Sequence, residues 1–483
     1  SSYQLCHYLL ELAMGATTVP TIPYGAHVVL RDHEENLKVF RLPTSAAASQ
    51  SEEREKPVAL HMGKYKPIPI SLIASVPYGA TLRLAESGCW ERYRQSMAEP
   101  EDDETAQCGE VYETNAHLAQ DNSAQALTPG EITTIKSTHD GEEVIAALVT
   151  GSATFASKTR FAKEKYLNKK RKKHIQQVTC LQPTLFELCE TYMKQSRQKI
   201  CGLRFDYLSS ILCQADVRTG GRYLVVDCAC GLVAGAVAQQ LAGDGRVYRL
   251  YTRGASDKAI TELDLGEARQ VVKAIPLDVL QADDPEKHNW VKMPDKTTAP
   301  EPEMDAEQSG EGKHDDDAQR LARHEQRVER VKARKVDLDD LRHGNWMDAV
   351  ILVAGEEDED LAQGALQWGL KQLTPGGRVV VYGQHLQPLA SKQGEWRNSA
   401  EFVDVRMVQL FTREYQVLPQ RTHPHMTADA QLCEGFLLMA TRVVALDDEL
   451  AATQPTDNAE SSTPGKSKGK GGGGGPRKRR RCD

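Results

Sequence analysis

The stretch Gly221–Tyr251 reads GRYLVVDCACGLVAGAVAQQLAGDGRVYRLY, and it decides the fold class of the chain. Tyr223–Val226 is a short apolar run with β-branched residues, which is typical of a buried strand. A turn of small residues follows, and Leu232–Leu241 then carries apolar residues at helical spacing. Gly243–Gly245 ends that helix, and Val247–Tyr251 predicts a second strand. Strand, tight turn, helix and strand form a βαβ unit, whose first turn is the place where a nucleotide would bind.

The turn departs from the nucleotide-binding pattern that it resembles. Methyltransferases that use S-adenosylmethionine end this strand on an acid and continue x-G-x-G-x-G. Asp227 supplies the acid and Gly231 the middle glycine, but Ala229 and Val233 occupy the outer glycine positions. Glycine serves there because it accepts positive φ and lets a ligand approach the backbone, and valine adds bulk instead. The second strand also lacks a final acid for the ribose hydroxyls, since Thr252 follows it. The pattern predicts a degenerate turn that binds no cofactor. An ordinary Rossmann-like domain for an unrelated ligand is the alternative.

Length and composition limit the possible classes of protein. A chain of 483 residues is long enough for two or three domains with a sizeable core. The formal net charge of -8 excludes an evenly basic, histone-like protein, so nucleic-acid binding would depend on local basic patches. The 11 cysteines show no regular spacing, and the lone C-x-C at Cys228 and Cys230 lacks the second pair that a zinc site needs. No apolar run approaches the roughly 18 residues of a membrane span, so we expect no membrane association.

The pattern of elements along the chain predicts an α/β protein with several parts. Strands are predicted at 26–30, 37–42, 58–62 and 81–84, ahead of the βαβ unit. Later, a buried strand at 347–354 and a helix at 361–373 precede a turn at Pro375–Gly377, which leads into a strand at 378–382. The predicted parts are an N-terminal extension (1–23), a small β-barrel-like domain (24–98), an acidic linker (99–126), a helical basic connector (127–195), a degenerate Rossmann-like methyltransferase-type domain (196–450) with a disordered insert (283–340), and a disordered basic tail (451–483).

The connector carries the most strongly charged helix of the chain. It opens on Thr128-Pro129-Gly130-Glu131, the pattern of a capping box with proline at the first helical position. Phe155–His174 then predicts a helix, and nine Lys or Arg stand against the single acid Glu164 between Lys158 and Lys173. Five consecutive cations, Lys169–Lys173, repel one another unless an anion lies alongside, which favours contact with a phosphate backbone. A solvated helix face and a nuclear localisation run are the alternatives.

Two further segments have a biased composition. Asp283–Asp317 is acidic and Arg320–Lys335 is basic and helix-prone, which together predict a surface insert. The tail ends in a glycine run and the cluster Arg477–Arg481. Such a cluster is typical of a nuclear localisation signal, so we expect a nuclear protein. A non-specific RNA-binding tail is a compatible second interpretation.

Three segments in this order resemble one family, the non-catalytic subunit of the eukaryotic tRNA (adenine-58-N1)-methyltransferase. They are SATFASKTRFAKEKYLNKKRKK at Ser152–Lys173, CGLRFDYLSSIL at Cys201–Leu212 running on to VVDCACGLVAGA, and EYQVLPQRTHPHM at Glu414–Met426 followed by GFLLMA. The N-terminal GKYKPIPISLIASVPYG is a weaker match to the barrel of the family. The resemblance spans most of the chain outside the insert and the tail.

The resemblance implies a division of labour. Family members have lost the cofactor site and pair with a catalytic subunit, which binds S-adenosylmethionine, in a heterotetramer of two plus two. This chain would then have no catalytic residue, no metal and no cofactor of its own, and would supply much of the grip on tRNA. The candidate tRNA-binding residues are Lys163, Lys165, Lys169, Lys170, Arg171, Lys172, Lys173, Arg413 and Arg421. Arg413, Arg421 and His423 could contact RNA or the partner, and local hydrogen bonding is the alternative for them.

Two other functions remain open at this point. One is an active S-adenosylmethionine-dependent RNA methyltransferase that binds its cofactor through an atypical turn. The other is a nuclear RNA-binding scaffold without a methyltransferase partner. Cofactor binding to the purified chain separates the first from a non-catalytic subunit, and co-purification from cells separates the second.

Overall fold

Two sheets organise the chain, an antiparallel sheet of five strands and a mixed sheet of seven. The computed structural model describes residues 19–44, 59–85, 87–94, 125–138, 141–158, 160–252, 256–282, 284, 288–293, 312–343, 346–355, 359–416, 422–424 and 434–443. All of them belong to one compact unit, Ser1–Val443, and the second unit, Val444–Asp483, lies outside the described residues. Of the helices in these ranges, none is long and apolar enough to cross a membrane.

The first sheet has the order β2-β1-β7-β5-β6, and a separate hairpin pairs β3 with β4. The elements of this part are β1 (His27–Asp32), β2 (Leu37–Arg41), β3 (Ala59–Leu60), β4 (Ile68–Pro69), α1 (Ile70–Ala74), β5 (Thr81–Leu84), β6 (Trp90–Tyr93) and β7 (Gln177–Leu181). Alternate residues of β1, β5 and β7 face a common core that includes Val28, Leu82 and Val178. In the described part of the chain, no pairing of β2 with β6 closes the sheet, so the barrel stays a prediction.

The middle strand of this sheet comes from a distant segment. β7 pairs with both β1 and β5, with Leu30 opposite Cys180 and Leu82 opposite Val178. The sequence boundaries placed residues 177–181 in the helical connector (127–195) and treated 24–98 as a complete module. A five-residue strand with two inward side chains gives little periodicity, and its partners lie almost a hundred residues or more away. The first domain is therefore completed by chain that returns after the connector.

The connector contains three helices, α2 (Pro129–Thr138), α3 (Gly141–Thr150) and α4 (Arg160–His174). The predicted capping box is present, since the Thr128 backbone N–H donates to the Glu131 carboxylate at 2.8 Å and the Glu131 N–H donates to Thr128 Oγ1 at 3.3 Å. The charged helix begins at Arg160 and not at Phe155, which lies in the preceding turns. The Phe155 ring packs against Tyr166 with 5.4 Å between centroids, so it anchors the start of α4 from outside.

The second sheet has the order β10-β9-β8-β11-β12-β16-β13, in which the first five strands are parallel and β16 is antiparallel to both neighbours. Its elements up to the insert are α5 (Leu185–Ser196), a 3-10 helix (Arg197–Ile200), α6 (Phe205–Gln214), β8 (Arg222–Asp227), α7 (Leu232–Leu241), β9 (Arg246–Tyr251), α8 (Lys258–Glu262), a 3-10 helix (Gly266–Val271), β10 (Val272–Pro276) and α9 (Leu277–Gln281). The remaining elements are α10 (Gly312–His343), β11 (Met347–Val353), α11 (Glu359–Gln372), β12 (Leu373–Gly383), α12 (Leu386–Asn398), β13 (Phe402–Val408), β14 (Tyr415–Gln416), β15 (His423–Pro424) and β16 (Phe436–Arg442).

This topology is that of a doubly wound, Rossmann-like sheet. Helices cover both faces, with α5, α6 and α7 on one core and α10, α11 and α12 on the other. The strand order reverses between β8 and β11, and ligands of such sheets bind outside the carboxyl ends of the strands at that switch point. The predicted βαβ unit thus lies at the centre of the sheet, with its turn beside the switch point.

Two predictions in this domain differ from the structure. Pro375–Gly377 lies within β12, where the pairing with β11 jumps from Met347–Leu373 to Ala349–Arg378, so the predicted turn is a bulge in one long strand. The insert predicted as disordered (283–340) ends in α10, whose Leu338 and Leu341 are buried in the second core. Most of its acidic part, 283–317, lies outside the described residues.

Candidate functional site

The glycine turn, Asp227–Val233, connects β8 to α7, and backbone N–H groups in and just after the turn are hydrogen-bonded within the chain. The Asp227 carboxylate is fully buried and accepts hydrogen bonds from the backbone N–H groups of Ala229 and Ala234, each at 2.8 Å. A carboxylate at the N-terminus of a helix is favoured by the orphan N–H groups and by the helix dipole. Asp227 therefore caps the turn and α7 from inside the protein.

Glycine in this turn makes room for a helix of the same chain. A Cβ added at Gly231 would lie 2.7 Å from Ile260 Cδ1, and one added at Gly235 would lie 2.6 Å from Leu263 Cδ1. The N–H of Ala259 donates to the carbonyl of Cys230 at 3.2 Å, which ties α8 to the turn. α8 therefore lies against the backbone of the turn, which a bound nucleotide would otherwise approach closely.

Arg249 is the largest fully buried side chain of the described residues, and it reaches the same turn. Its Cζ lies 3.6 Å from the position of a Cβ on Gly231. Its guanidinium forms an ion pair with Asp257 and donates to the carbonyl of Ser256 at 3.2 Å. A buried charge is stable only when it is paired in this way. In the sequence, Arg249 is the one charged residue within Val247–Tyr251, a visible signal, but its contact with the turn depends on the fold.

The residues around the turn do not fit S-adenosylmethionine. Thr252 provides no carboxylate for ribose hydroxyls, and Arg249 and Ile260 pack against Gly231. Ala229 and Val233, the two predicted departures, are fully buried, and neither has a positive φ. The degenerate turn is therefore closed mainly by side chains from outside it, and only in part by the absence of the two glycines.

The two thiols of the turn form no metal site. Neither Cys228 nor Cys230 forms a disulfide, and burial followed by the nearby Asp227 raises the pKa of the Cys230 thiol above its ordinary value. Within the described ranges, no group of three or more His, Cys, Asp or Glu is arranged to hold a metal ion.

A small cavity of about 90 Å³ lies beside the switch point, where β11 and β12 end. Its walls combine apolar side chains with a polar rim formed by Gln363, Gln384, His385 and Lys392. The Lys392 ammonium is paired with the Glu395 carboxylate at 2.7 Å, so its charge is already balanced. None of the predicted site residues lines this cavity.

Most predicted tRNA contacts lie on α4, and some of them meet cations from other elements. We define the cationic surface as Lys136 of α2, Lys158 before α4, and Lys169, Lys170 and Lys173 of α4. The other four cations of this group lower the pKa of Lys170, after the larger effect of its burial. The Lys158 and Lys170 ammonium groups lie 4.6 and 5.2 Å from the centroid of the Tyr166 ring. Lys163 is half-buried and Lys165 is exposed on the preceding turns of α4.

The pKa of His174 reflects its burial and the positive charges near the cationic surface. Burial, and then Lys136, Lys170, Lys173 and Lys64, lower the pKa of His174 to about 4. Four lysines therefore add to the effect of burial, and their mutual repulsion makes this region unfavourable for a further positive charge. An anion placed against it would relieve that repulsion.

The predicted run of five cations divides between two surroundings. Lys172 faces the turn between β1 and β2, where its ammonium lies 3.5 Å from the Glu35 carboxylate. Burial, then Lys172 and more weakly Arg171, lower the pKa of His33 in the same turn. Lys169, Lys170 and Lys173 belong to the cationic surface instead. Lys172 therefore lies against the first sheet through one exposed ion pair, whereas the cations of the cationic surface lie beside other cations.

The C-terminal candidates differ from those of α4. Arg413 is half-buried and bonded within the chain, and Arg421 lies outside the described residues. In β15, Nδ1 of His423 lies 3.0 Å from the carbonyl oxygen of Pro424, which favours local hydrogen bonding for this residue. Neither Arg413 nor His423 belongs to the cationic surface.

An exposed aromatic surface was not foreseen from the sequence. We define it as the exposed Phe186, Phe411 and Tyr415 together with Phe205, which is half-buried against the core. Phe411 and Tyr415 are 62% and 58% exposed, and Phe186 is 48% exposed with its ring edge-on to Phe205 at 5.2 Å. Asp206 accepts a 2.8 Å hydrogen bond from the Thr412 hydroxyl, which fixes the Phe411 segment beside the start of α6. Large aromatic side chains that stay exposed together are typical of protein–protein interfaces.

Comparison with known proteins agrees with the sequence resemblance. The chain is 26% identical over 452 residues to the tRNA (adenine(58)-N(1))-methyltransferase non-catalytic subunit of Dictyostelium discoideum, covering 88% of this chain and 80% of that protein. It is 25% identical over 494 residues to the subunit of the same name from Mus musculus, covering 93% and 96%. Among solved structures, the tRNA (m1A58) methyltransferase TrmI from Aquifex aeolicus aligns with a TM-score of 0.40 and 11% identity, over 88% of this chain and 99% of that one.

The family assignment follows from a match over most of the folded part. The model of the Gcd10p family matches residues 21–312, well over half of the 483-residue chain. That range includes the first sheet, the connector and the glycine turn, and the curated relatives carry the family name that the three sequence segments predicted. The chain therefore belongs to the Gcd10p family.

Proposed function

We propose that this chain is the non-catalytic subunit of a tRNA (adenine-58-N1)-methyltransferase complex. The observation that carries the proposal is the glycine turn at the switch point, which is occupied by Arg249 and Ile260 of the chain itself. A methyltransferase-type sheet without room for its cofactor needs another reason to keep its shape. Assembly with a related, catalytic subunit that binds S-adenosylmethionine provides that reason, and both curated relatives are named as non-catalytic subunits.

The contribution of this chain to the reaction is a grip on the tRNA. The target adenine is buried in the elbow of the folded tRNA, and unstacking it costs a few kcal/mol. Contacts to the RNA backbone offset that cost without reading sequence. The cationic surface suits this task because Lys136 and Lys158 add to the charges of α4, and because a phosphate would relieve their mutual repulsion.

The partner is expected to dock on the aromatic surface, in an assembly of two plus two subunits. Phe411 and Tyr415 offer apolar area beside polar groups, as the core and rim of an interface do. The seven-stranded sheet presents this surface along α5 and α6, whereas the cationic surface lies on α4 of the connector. One chain can therefore hold a protein partner and an RNA with different residues.

The site of action is proposed to be the nucleus. This proposal is based on Arg477–Arg481, a basic cluster that lies outside the described residues. The alternative function of the cluster is non-specific RNA binding, and mutating the cluster independently of α4 separates the two.

The test is affinity capture of the tagged full-length chain from its native cells, followed by mass spectrometry and activity. The proposal expects a methyltransferase subunit at equal stoichiometry, and methyl transfer to adenine N1 of tRNA only when both chains are present. Methyl transfer by the chain alone would establish the active-enzyme alternative. Capture of RNA without any methyltransferase would establish the scaffold alternative.

A further inference from the structure

The closure of the glycine turn has a specific chemical cause that goes beyond the loss of two glycines. We propose that Arg249, held by Asp257 and packed with Ile260, is the determinant that excludes S-adenosylmethionine from this chain. These three residues are termed the plug. This inference rests on the proposed function, in which the catalytic partner carries the cofactor.

Shape is the first reason for this assignment. Ile260 Cδ1 comes within 2.7 Å of an added Cβ at Gly231, and Arg249 Cζ within 3.6 Å, so the two side chains cover the glycine that a ligand would have to approach. Neither Ala229 nor Val233 requires glycine for its backbone, since neither has positive φ, and Val233 lies inside α7. Restoring those glycines would remove a few methyl groups and leave the plug in place.

Charge pairing is the second reason. The guanidinium of Arg249 is fully buried beside the turn, and it is paired with the carboxylate of Asp257. Catalytic sites of this type place a free carboxylate at the end of the second strand for the ribose hydroxyls. Here Thr252 stands at that position, and the carboxylate of Asp257 is already neutralised by Arg249. A cofactor could enter only by disrupting a buried ion pair, which is strongly unfavourable. The plug therefore excludes the cofactor by this ion pair as well as by volume.

The third reason is how the plug is held. The guanidinium bonds to Asp257 and to the carbonyl of Ser256, so it fixes the chain that leads into α8, and α8 in turn brings Ile260 to the turn. The Nε–H of Arg249 has no hydrogen-bond acceptor in the described part of the chain, so the guanidinium is held through its two Nη atoms. Arg249 and Ile260 thus form one unit, and removing both is needed to open the turn.

The experiment counts cofactor sites in the assembled complex by calorimetry, with both S-adenosylmethionine and its product S-adenosylhomocysteine, which lacks the sulfonium charge. The wild-type complex and an Ala229→Gly, Val233→Gly, Thr252→Asp variant, which keeps the plug, should each show one site per pair of subunits, the site of the partner. A variant with Arg249→Leu, Asp257→Asn, Ile260→Ala and Thr252→Asp should show two sites for S-adenosylhomocysteine. A second site gained by restoring the glycines, or one site in the plug variant, would overturn the proposal.

A second measurement covers the case in which the plug variant folds poorly or no complex forms. Cys230 is 9% exposed beside the plug, so its alkylation reports opening of the turn in the full-length chain without any ligand. Removing the plug should accelerate alkylation of Cys230 at least about tenfold, because local opening limits the reaction of a buried thiol. Arg246→Leu, an exposed arginine on the same strand, is the control and should leave the rate unchanged. Equal rates in the plug and control variants would contradict the proposal, whatever the fate of the complex.

Discussion

The carboxylate of Asp227 accepts a 2.8 Å hydrogen bond from the backbone N–H of Ala234, seven residues further along the chain. The same side chain also holds the N–H of Ala229, so one buried carboxylate fixes both ends of the glycine turn. The acid that resembles a cofactor-binding feature in the sequence is thus a structural cap in the protein.

Asp227→Ala should therefore lower stability and leave cofactor use by the complex intact. The substitution leaves two buried N–H groups without acceptors, which predicts a loss of about 2–4 kcal/mol in the free energy of unfolding. Urea denaturation followed by circular dichroism measures this, with the exposed Asp244→Ala as the matched control. A loss of cofactor affinity without a loss of stability would show that Asp227 serves a ligand after all.

His174 makes stability depend on pH. Its pKa falls from an ordinary 6.5 to about 4 in the folded chain, because of burial and because Lys136, Lys170, Lys173 and Lys64 face it. The unfolded chain then binds a proton before the folded chain does. This contribution lowers the free energy of unfolding as pH falls from 6.5 towards 4, and adds no pH dependence above about pH 7.

The check is a pair of urea titrations at pH 7.5 and pH 5. His174→Gln should lose less stability between these two pH values than the wild type does, because it removes the group that resists protonation. An equal loss in both proteins would show that His174 is not protonated on unfolding in this window.

The strands of the βαβ unit were predictable because each is an apolar run between turn residues, interrupted only by Arg249 in the second strand. The same local logic could not find β7, since its partners β1 and β5 lie far from it in the chain. It also could not assign Arg249 or Ile260 to the turn, because their role depends on how α8 packs and not on any motif. On α4 the sequence showed the positive charge, but it did not show which cations lie on the cationic surface and which face another part of the chain. Lys172 faces Glu35, which belongs to a different predicted domain.

The packing of the end of the predicted insert can be tested by measuring stability. Leu338 is 2% exposed in the second core, whereas Val336, on the same helix, is 66% exposed. Leu338→Ala should cost about 2–4 kcal/mol in the free energy of unfolding, as large-to-small core substitutions do. Val336→Ala should stay within about 0.5 kcal/mol of the wild type. Equal midpoints for the two variants in urea would mean that α10 does not pack on the sheet.

The aromatic surface should matter for assembly and not for folding. Phe411→Ser and Tyr415→Ser remove exposed apolar area, so the free chain should keep its unfolding midpoint or become more soluble. Binding to the catalytic subunit should weaken by at least about tenfold if these side chains lie at the centre of the interface, where truncation often costs about 2 kcal/mol or more. Val19→Ser, another exposed apolar residue, is the control in the same co-purification. Unchanged recovery of the partner would move the interface elsewhere.

The final comparison separates the RNA-binding role from the other roles of the basic residues. Lys169→Ala, Lys170→Ala and Lys173→Ala together remove the α4 part of the cationic surface. The triple variant of the complex should bind tRNA more weakly, and the log–log salt dependence should flatten by about 0.7–0.9 for each phosphate that the protein no longer neutralises.

The structure supplies a control within the same run of five cations. Lys172→Ala removes one cation, as the single substitution Lys169→Ala does, but the Lys172 ammonium faces Glu35, so affinity and slope should change far less with Lys172→Ala than with Lys169→Ala. The weakening in the triple variant should be similar for different tRNA sequences, because backbone contacts position the RNA without specifying it.

Neutralising Arg477–Arg481 completes the comparison. If that cluster is a localisation signal, its removal should lower the nuclear fraction of the protein and leave tRNA affinity and its salt slope unchanged. The triple α4 variant should do the opposite, since its cations lie on a packed helix beside α2 and not on an isolated basic run. If the tail variant abolishes tRNA binding while the α4 variant keeps the wild-type affinity and slope, the tail binds the RNA and the cationic surface has another partner.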